Sequence, residues 1–438
     1  MIRTVIVAMA LVLLGTGSPA LAQIGLPSLP GPGLPSGRIE ALPGRVVGRV
    51  DGLERQVETV VEVVPSHLTR LIRQSRGALE ADPRGWPVVR GEILATDPDP
   101  AALERARADG FSVLRETRLE GLDLTVVVLA PPRGMALSNG VERLAQIDPQ
   151  GTYAFNHIHG PAGGIGTVAV AGRVAVSEPV PSSGRRVGLI DTGVESGHPS
   201  LSSVTLTQQG FAGPVHPAAH GTAVASLLAG RGPGFAGAAP GADLFAADVY
   251  GGAVTGGSAE ALARALAWMA ARDVRVINIS LVGPRNALVE GVVGRLVGRG
   301  YLLVAAVGND GPAAPPLYPA AYPGVIGVTA VSGRDRVLPE AGRGPQVDFA
   351  APGSDMAAAT LGGGYATVRG ASFAAPIVAG LLARRLNGGD ASAAVAGLAR
   401  EARDLGAAGD DTVYGHGLVG GALRVSPRAV GARGRLTR

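Results

Sequence analysis

Residues 187–193 read Val-Gly-Leu-Ile-Asp-Thr-Gly, a short apolar run that stops at a carboxylate and a turn. Four consecutive uncharged residues predict a buried strand, and fully buried short strands are typical of parallel sheets. Asp191 would then lie at the carboxyl end of its strand, the edge where open parallel sheets carry their functional residues. The stretch therefore predicts a parallel sheet with a functional carboxylate at one edge.

The chain downstream of Arg185 alternates short apolar runs with helical stretches. Strands are predicted at residues 187–190, 244–249, 274–279, 301–306 and 325–330. Helices are predicted at residues 220–229, 258–272, 287–298 and 372–386. This alternation predicts an α/β fold, with a doubly wound, mostly parallel sheet and helices on both of its faces.

Three further polar residues fall at the ends of these predicted elements. His220 opens a helix in His-Gly-Thr, Ser372 opens another in Gly-Ala-Ser-Phe-Ala-Ala-Pro, and Asn309 follows a strand in Gly-Asn-Asp-Gly. Each alone has an ordinary explanation as a helix cap or a turn residue. Together with Asp191, they supply a nucleophile, a base, a carboxylate that orients the base, and an amide donor for an oxyanion.

Four motifs resemble those of the subtilases, the subtilisin-like serine proteases. They are Asp191-Thr192-Gly193, His220-Gly221-Thr222, residues 306–311 and residues 370–376. The chain order Asp, His, Ser is also that of subtilisin, and it differs from the orders in chymotrypsin and the α/β-hydrolases. The resemblance extends over about residues 185–422, which we therefore expect to form the catalytic domain.

The resemblance implies a role for each of the four residues. Ser372 would attack the peptide carbonyl carbon, while His220 would take its proton and pass it to the leaving amine. Asp191 would hold the imidazole tautomer, and Asn309 would stabilise the oxyanion together with the backbone N–H of Ser372. The implied activity is that of a serine endopeptidase that cleaves protein or peptide substrates through an acyl-enzyme intermediate.

The resemblance also implies a substrate-binding cleft. Its predicted lining consists of Ser280, Leu281, Val282, Gly283, Ala306, Val307 and Gly308. Val282 and Val307 stand where the family commonly has glycine or another small residue, so we expect a narrowed pocket for the P1 side chain, which precedes the cleaved bond. Ser200 replaces an Asp that often ligates calcium in the family. This weakens the case for a structural calcium ion, and no cofactor is expected to be required.

A second, smaller module is predicted upstream of the catalytic domain. Residues 88–158 follow the order β-α-β-β-α-β, which is that of a ferredoxin-like module. The resemblance to subtilases implies that this module is a propeptide that assists folding and acts as an intramolecular inhibitor. Residues 159–184 would form the processing and boundary region, and the zymogen is expected to cleave itself near residues 157–166.

The N-terminus is typical of an exported protein. Residues 1–22 combine a charged start, an apolar run at residues 5–14 and the sequence Ala20-Leu21-Ala22, as expected of a signal peptide. Residues 23–87 would form a Pro/Gly-rich linker with a possible helix, and residues 423–438 an Arg-rich tail. We therefore expect a secreted or periplasmic protein that does not contact the membrane after signal cleavage.

Composition narrows the classes of function. Hydrophobic residues make up 46% of the chain and charged residues 17%, which is typical of a packed globular protein. The absence of cysteine excludes disulfides, a thiol nucleophile and a Cys-ligated zinc site. The net charge of +4 would suit a nucleic-acid binder, but the arginines are scattered, so no nucleic-acid partner is expected.

Competing interpretations have weaker support. Residues 232–237 match G-x-G-x-x-G, but they follow a helix and contain no βα turn, which disfavours a dinucleotide binder. The sequence contains no H-E-x-x-H motif, which a zinc protease would need. It also lacks G-x-S-x-G around Ser372, which a serine esterase would need. The closest pair of histidines, His157 and His159, lies in the predicted processing region. A catalytically silent subtilase-like binding protein stays open as the alternative.

Overall fold

The computed structural model describes residues 64–161, 182–386, 389–433 and 435–436. The chain divides into two units, residues 1–60 and 61–438, and all described residues belong to the second. The predicted signal peptide, the linker up to residue 63, and residues 162–181 of the predicted processing region lie outside the described residues.

The first part of the described chain is a small antiparallel sheet with helices. Its elements are α1 (Ser66–Gln74), β1 (Leu79–Ala81), β2 (Pro87–Thr96), α2 (Pro100–Ala108), β3 (Ser112–Leu119), β4 (Leu124–Ala130), α3 (Leu137–Ile147) and β5 (Thr152–His157). Strand β2 lies between β5 and β4, and β3 pairs with β4, all antiparallel. This is the predicted ferredoxin-like order, and β1 extends it by pairing with the start of β2.

Local sequence explains the elements of this sheet. Asp99 caps α2 by accepting a hydrogen bond from the backbone N–H of Ala101, and Gly110 follows the helix at a φ of +93°. On one face of the sheet, apolar residues of β2 and β4 cluster with residues of α2 and α3 in a separate small core. Its fully buried members include Val88, Ile93, Val127, Leu129 and Leu144.

The second part is built on a large sheet. Its elements are β6 (Gly160–Pro161), β7 (Arg186–Asp191), β8 (Leu206–Gly210), α4 (Ala219–Ala229), β9 (Arg231–Gly232), β10 (Phe235–Ala236), β11 (Asp243–Asp248), α5 (Ala259–Ala270), β12 (Val276–Ile279), β13 (Leu281–Val282), α6 (Ala287–Gly298), β14 (Leu302–Ala306), β15 (Ile326–Val331), β16 (Phe349–Pro352), β17 (Ser354–Thr360), β18 (Gly364–Arg369), α7 (Ala371–Arg385), α8 (Ala391–Glu401) and β19 (Arg435–Leu436).

Seven of these strands form one parallel sheet, which confirms the predicted α/β fold. Their order across the sheet is β16-β15-β14-β12-β7-β11-β8, and every neighbouring pair is parallel. The chain leaves the interior strand β7 in one direction, through β8 and β11, and then continues on the other side of β7 from β12. The strand order therefore reverses beside β7 and β12, and a crevice is expected outside the carboxyl ends of these strands.

Two pairs of helices cover the sheet. Helices α4 and α7 pack against each other, while α5 and α6 form a second pair that also contacts β3 and β5 of the small sheet. Ser258 caps α5 by accepting from the N–H of Ala261, and Asn286 caps α6 by accepting from two first-turn N–H groups. The second helix pair is thus the platform on which the small sheet rests.

Polar groups join the small sheet to this platform. Arg115 of β3 makes ion pairs with Glu92 of β2 and with the buried carboxylate of Glu260 at the start of α5. These two hydrogen-bonded carboxylates raise the pKa of the Arg115 guanidinium. Asn156 accepts from the N–H of Glu260 at 3.1 Å, and Asn286 donates to the carbonyl oxygen of Phe155 at 2.9 Å. The N-terminal ends of α5 and α6 therefore both contact strand β5.

Candidate active site

Asp191 and His220 form a buried hydrogen-bonded pair. Asp191 is the last residue of β7, and His220 lies in the first turn of α4. The carboxylate oxygens of Asp191 lie 2.8 and 2.9 Å from Nδ1 of His220. Oδ1 also accepts from the backbone N–H of Thr192 at 2.7 Å. With its Nδ1 proton bonded to Asp191, the imidazole has Nε2 free to accept a proton.

The start of α4 packs directly against the turn that follows Asp191. The backbone N–H of Gly221 donates to Oγ1 of Thr192 at 2.9 Å. A Cβ atom on Gly221 would lie 2.3 Å from the carbonyl oxygen of Thr192, so a larger residue would push the helix away. Gly221 therefore permits the close approach that brings the His220 ring onto the carboxylate.

Ser372 is the second residue of α7, where first-turn N–H groups have no acceptor inside the helix. Asn309, three residues after β14, accepts from the N–H of Ala371 at 3.0 Å through its Oδ1 atom. This contact fixes the side-chain amide of Asn309 and leaves Nδ2 free to donate. Gly370 precedes the helix at a φ of +136°, a conformation that side chains other than glycine rarely adopt.

Two other residues hold the backbone and ring beside Ser372. Ser280, which follows β12, donates from its hydroxyl to the carbonyl oxygen of Ser372 at 3.0 Å. The ring centroids of His220 and Phe373 lie 5.4 Å apart. The structure thus brings Asp191, His220 and Asn309 around the first turn of α7, which carries Ser372.

Three buried atoms in this cluster have no hydrogen-bond partner in the described part of the chain: Nε2 of His220, Oγ of Ser372 and Nδ2 of Asn309. The three residues are at most 2% exposed. An unpaired buried polar group typically costs about 1–3 kcal/mol, so such groups call for an explanation. The three atoms are a base, a nucleophile and an amide donor, the groups that acyl transfer requires.

A segment of the chain itself lies in the predicted cleft. Gly160 and Pro161 form β6, which pairs antiparallel with Val282 and Leu281 of β13. On the other side, Ile158 bridges to Ser258, and the N–H of His159 donates to the carbonyl oxygen of Gly257 at 2.7 Å. Residues 158–161, hereafter the cleft segment, therefore form a short strand between two walls of the large domain.

The imidazole of His159, in the cleft segment, is completely buried. A Cβ atom on Gly283 would lie 2.5 Å from the ring, so the ring covers this glycine. Neither ring nitrogen makes a hydrogen bond of ordinary geometry. Burial and, to a lesser extent, the nearby His157 lower the pKa of His159 to about 3, although the backbone of Gly257 and His157 acts in the opposite direction. The ring is therefore neutral in the intact chain.

The seven residues predicted to line the substrate-binding cleft are all buried. A Cβ atom on Gly308 would lie 2.9 Å from Cδ1 of Leu317 and 3.7 Å from Cγ1 of Val282. Val307 contacts Gly327, with Cγ1 lying 3.3 Å from the place of a Cβ atom on that residue. Leu317 was not singled out from the sequence, because an apolar residue in a Pro-rich loop gives no local sign that it reaches Gly308.

Two observations bear on metals and membranes. The described residues contain no group of three or more His, Cys, Asp or Glu side chains that could hold a metal ion. Ser200, which is expected from the sequence to stand in place of a family calcium ligand, has its Oγ atom 2.8 Å from Nδ1 of His198. No helix in the described ranges is both long enough and apolar enough to cross a membrane.

Gly370 provides a test of the amide donor. A Cβ atom there would lie 3.1 Å from Nδ2 of Asn309. Gly370→Ala should slow covalent labelling of Ser372 by a fluorophosphonate about tenfold or more, because the phosphoryl oxygen would lose a well-placed donor. Gly362→Ala is the matched control, since Gly362 also has a positive φ (+81°) but no neighbour within 4 Å. Equal labelling of both variants would contradict the role of the Asn309 amide, for which Gly370 leaves room, as the oxyanion donor.

Known proteins resemble this chain in sequence and structure. The chain is 34% identical over 210 residues to the minor extracellular protease Epr of Bacillus subtilis (strain 168), which covers 46% of this chain and 32% of that protein. It is 34% identical over 213 residues to subtilisin Savinase of Lederbergia lenta, covering 46% of this chain and 76% of that one. The chain spans between 52% and 54% of the length of three other curated relatives.

The fold has a solved counterpart. The crystal structure of fervidolysin from Fervidobacterium pennivorans, a keratinolytic enzyme related to subtilisin, superposes with a TM-score of 0.63 at 21% identity. The superposition covers 77% of this chain and 61% of that chain, which shows the fold. The model of the subtilase family, peptidase S8, matches residues 182–417, more than half of the 438 residues. The chain therefore belongs to the subtilase family.

Proposed function

We propose that this protein is an exported serine endopeptidase that is made as an inactive precursor and processes itself. The observation that carries the proposal is the set of three unpartnered buried atoms, Nε2 of His220, Oγ of Ser372 and Nδ2 of Asn309. A bound peptide carbonyl would give each of these atoms a partner during the reaction. The membership in the subtilase family and the name of the extracellular relative support the same function.

The proposed reaction has two halves. Oγ of Ser372 attacks the peptide carbonyl carbon while Nε2 of His220 takes its proton, and Asp191 stabilises the resulting imidazolium. The carbonyl oxygen becomes an oxyanion that accepts from Nδ2 of Asn309 and the backbone N–H of Ser372. His220 then protonates the leaving amine, the C–N bond breaks, and an acyl ester remains on Ser372. Water, deprotonated by His220, hydrolyses this ester and restores the serine.

These residues supply the nucleophile, the base and the oxyanion donors from the chain itself. We therefore propose that catalysis requires no cofactor. A structural calcium ion near Ser200 has little support, because its hydroxyl is engaged with His198.

The cleft segment supports the precursor state. Its main chain pairs on both sides with the walls that would bind a substrate, so it would block the cleft while it stays there. Gly160 and Pro161 pair with Val282 and Leu281, so the pairing runs along β13 towards Ser280. Ser280 contacts the carbonyl group of Ser372. We therefore propose that the self-cleaved bond joins residues 162 and 163, within the range expected from the sequence.

The first test compares the wild type with Ser372→Ala, both expressed with their export signal. Wild type should shorten to a chain that begins near residue 163 and should degrade casein. Ser372→Ala should stay longer, retain residues 64–161 and leave casein intact, because it lacks the nucleophile. Intact mass, N-terminal sequencing and a casein assay give the answer. Identical maturation of both proteins, with no cleavage of casein, would favour the silent binding protein instead.

The P1 pocket provides a second test. Val282 and Leu317 lie near Gly308, so wild type should cleave after Ala in preference to Phe. Val282→Gly should raise the ratio of kcat/KM for Phe to that for Ala about tenfold or more, because the pocket gains room for the ring. Val307→Gly should raise this ratio less, because the Val307 side chain contacts Gly327. Val292→Ala, at a buried valine in α6, should leave the ratio unchanged. A wild-type preference for Phe, Tyr or Arg would refute the narrowed pocket.

His159 predicts a pH dependence of precursor stability. Its pKa is about 3 in the folded chain and about 6.5 when exposed, so an unfolded chain gains a proton that the folded chain rejects. The contribution of His159 to the free energy of unfolding is therefore fully present above about pH 6.5 and falls as the pH drops below that value. Between pH 7.5 and pH 5, this single group should account for about 2 kcal/mol of the free energy of unfolding.

The measurement is urea unfolding of Ser372→Ala with and without His159→Leu. The difference in unfolding free energy between the two proteins isolates the contribution of residue 159 from that of the other histidines. His159→Leu should gain relative stability as the pH falls from 7.5 to 5. A difference that stays constant over this range would show that the His159 ring is not held neutral.

A further inference from the structure

The phenol of Tyr250 contacts the main chain of the cleft segment. Its Oη atom donates a hydrogen bond to the carbonyl oxygen of His159, at a distance of 2.9 Å. None of the catalytic steps described above uses this residue, and its contact lies 91 positions away in the sequence. The phenol reaches a backbone atom, so its interaction is independent of which side chain a peptide carries at that position.

The hydrogen bond completes the pairing of residue 159 with the cleft wall. The N–H of His159 donates to the carbonyl oxygen of Gly257, as in an ordinary strand pair. The carbonyl oxygen of the same residue accepts from a side-chain hydroxyl of the wall. Beyond this point the cleft segment pairs with the opposite wall through Gly160 and Val282. Tyr250 therefore supplies a donor where the main-chain pairing changes from one wall to the other.

The surrounding loop holds the phenol in place. Oδ1 of Asp248, the last residue of β11, accepts from the N–H groups of Tyr250 and Gly251 at 2.9 and 2.8 Å. The N–H of Ala253 donates to the carbonyl oxygen of Tyr250. A Cβ atom on Gly257 would lie 2.2 Å from the carbonyl oxygen of His159 and 2.8 Å from the Tyr250 ring. Gly257 thus leaves room for both groups to meet.

The phenol keeps its proton under ordinary conditions. Burial raises the pKa of Tyr250 well above its usual value, and the carboxylates of Asp191 and Asp248 raise it further. The hydroxyl group is therefore a constant hydrogen-bond donor at neutral and alkaline pH.

We propose that Tyr250 is a substrate-binding residue that donates a hydrogen bond to a backbone carbonyl of the bound peptide. The carbonyl belongs to the fourth residue before the cleaved bond, the position that His159 would occupy before residue 162. Substrates that extend to this residue would bind better than shorter ones, whatever their side chain there. This inference rests on the proposed function, in which the cleft segment lies where a substrate lies.

The test uses the processed enzyme and two anilide substrates. Acetyl-Ala-Gly-Pro-Ala-p-nitroanilide contains the carbonyl group that Tyr250 would contact, whereas acetyl-Pro-Ala-p-nitroanilide ends before it. Tyr250→Phe removes only the hydroxyl group. It should lower kcat/KM for the long substrate about fivefold to tenfold and change that for the short substrate less than about twofold. Tyr301→Phe is the matched control, because its hydroxyl contacts the carbonyl oxygen of Ala270 and should affect neither substrate.

The outcomes separate the two proposals. Equal losses for both substrates would mean that the hydroxyl group only stabilises the loop, and an unchanged kcat/KM for both would mean that it does not bind substrate. Either result overturns the role of Tyr250 and leaves the peptidase intact. Failure of the wild type to hydrolyse either substrate would overturn the proposed function, and this inference with it. A loss confined to the long substrate supports the proposal.

Discussion

The arrangement of the site depends on the hydrogen bonds that the buried carboxylate of Asp191 requires. A charge that is removed from water costs several kcal/mol unless hydrogen bonds replace its solvation. Here the replacements come from the turn at Thr192 and from the His220 ring. The His220 contact depends on the approach of helix α4 to the end of β7, which Gly221 permits. The carboxylate, the turn and the helix start are therefore one structural unit.

The same edge of the sheet carries the remaining groups for a related reason. Parallel strands place their carboxyl ends side by side, so the residues after β12 and β14 lie beside those after β7. Ser280 and Asn309 then hold the first turn of α7 through the backbone of residues 371 and 372. Because these contacts are made to main-chain atoms, they constrain where Ser372 lies without constraining the apolar residues behind it.

The small sheet and the large domain meet through two different kinds of contact. The first kind uses polar side chains: Arg115 joins the two parts through carboxylates, and Asn286 caps α6 while it donates to strand β5. At the site, the cleft segment is held by main-chain pairing, with the neutral ring of His159 buried over Gly283. In the proposed function, the polar side-chain contacts hold the precursor together, and the main-chain pairing of the cleft segment keeps the cleft blocked. The main-chain pairing is the second set of contacts. Only the second set resembles what a substrate would use.

Much of this molecule follows from the local pattern of its residues. The helix predicted at residues 287–298 is observed with the same ends, and the apolar runs at 187–190, 244–249 and 301–306 are strands with ends shifted by only one residue. These runs are recognisable because both faces of a central parallel strand are buried. Strand β8, of sequence Leu-Thr-Gln-Gln-Gly, was missed, because it lies at the sheet edge where polar residues are tolerated.

The motifs around Asp191, His220, Asn309 and Ser372 were also recognisable in the sequence, since each contains a characteristic short run of residues. Other features depend on contacts between residues far apart in the chain. Tyr250 meets His159, Leu317 approaches Gly308, and Asn286 meets Phe155 and His157 only because separate elements pack together. Residue type and spacing therefore identified the strands and predicted the candidate catalytic groups. Packing alone determined which side chains surround them, because no local pattern records the partner of a distant residue.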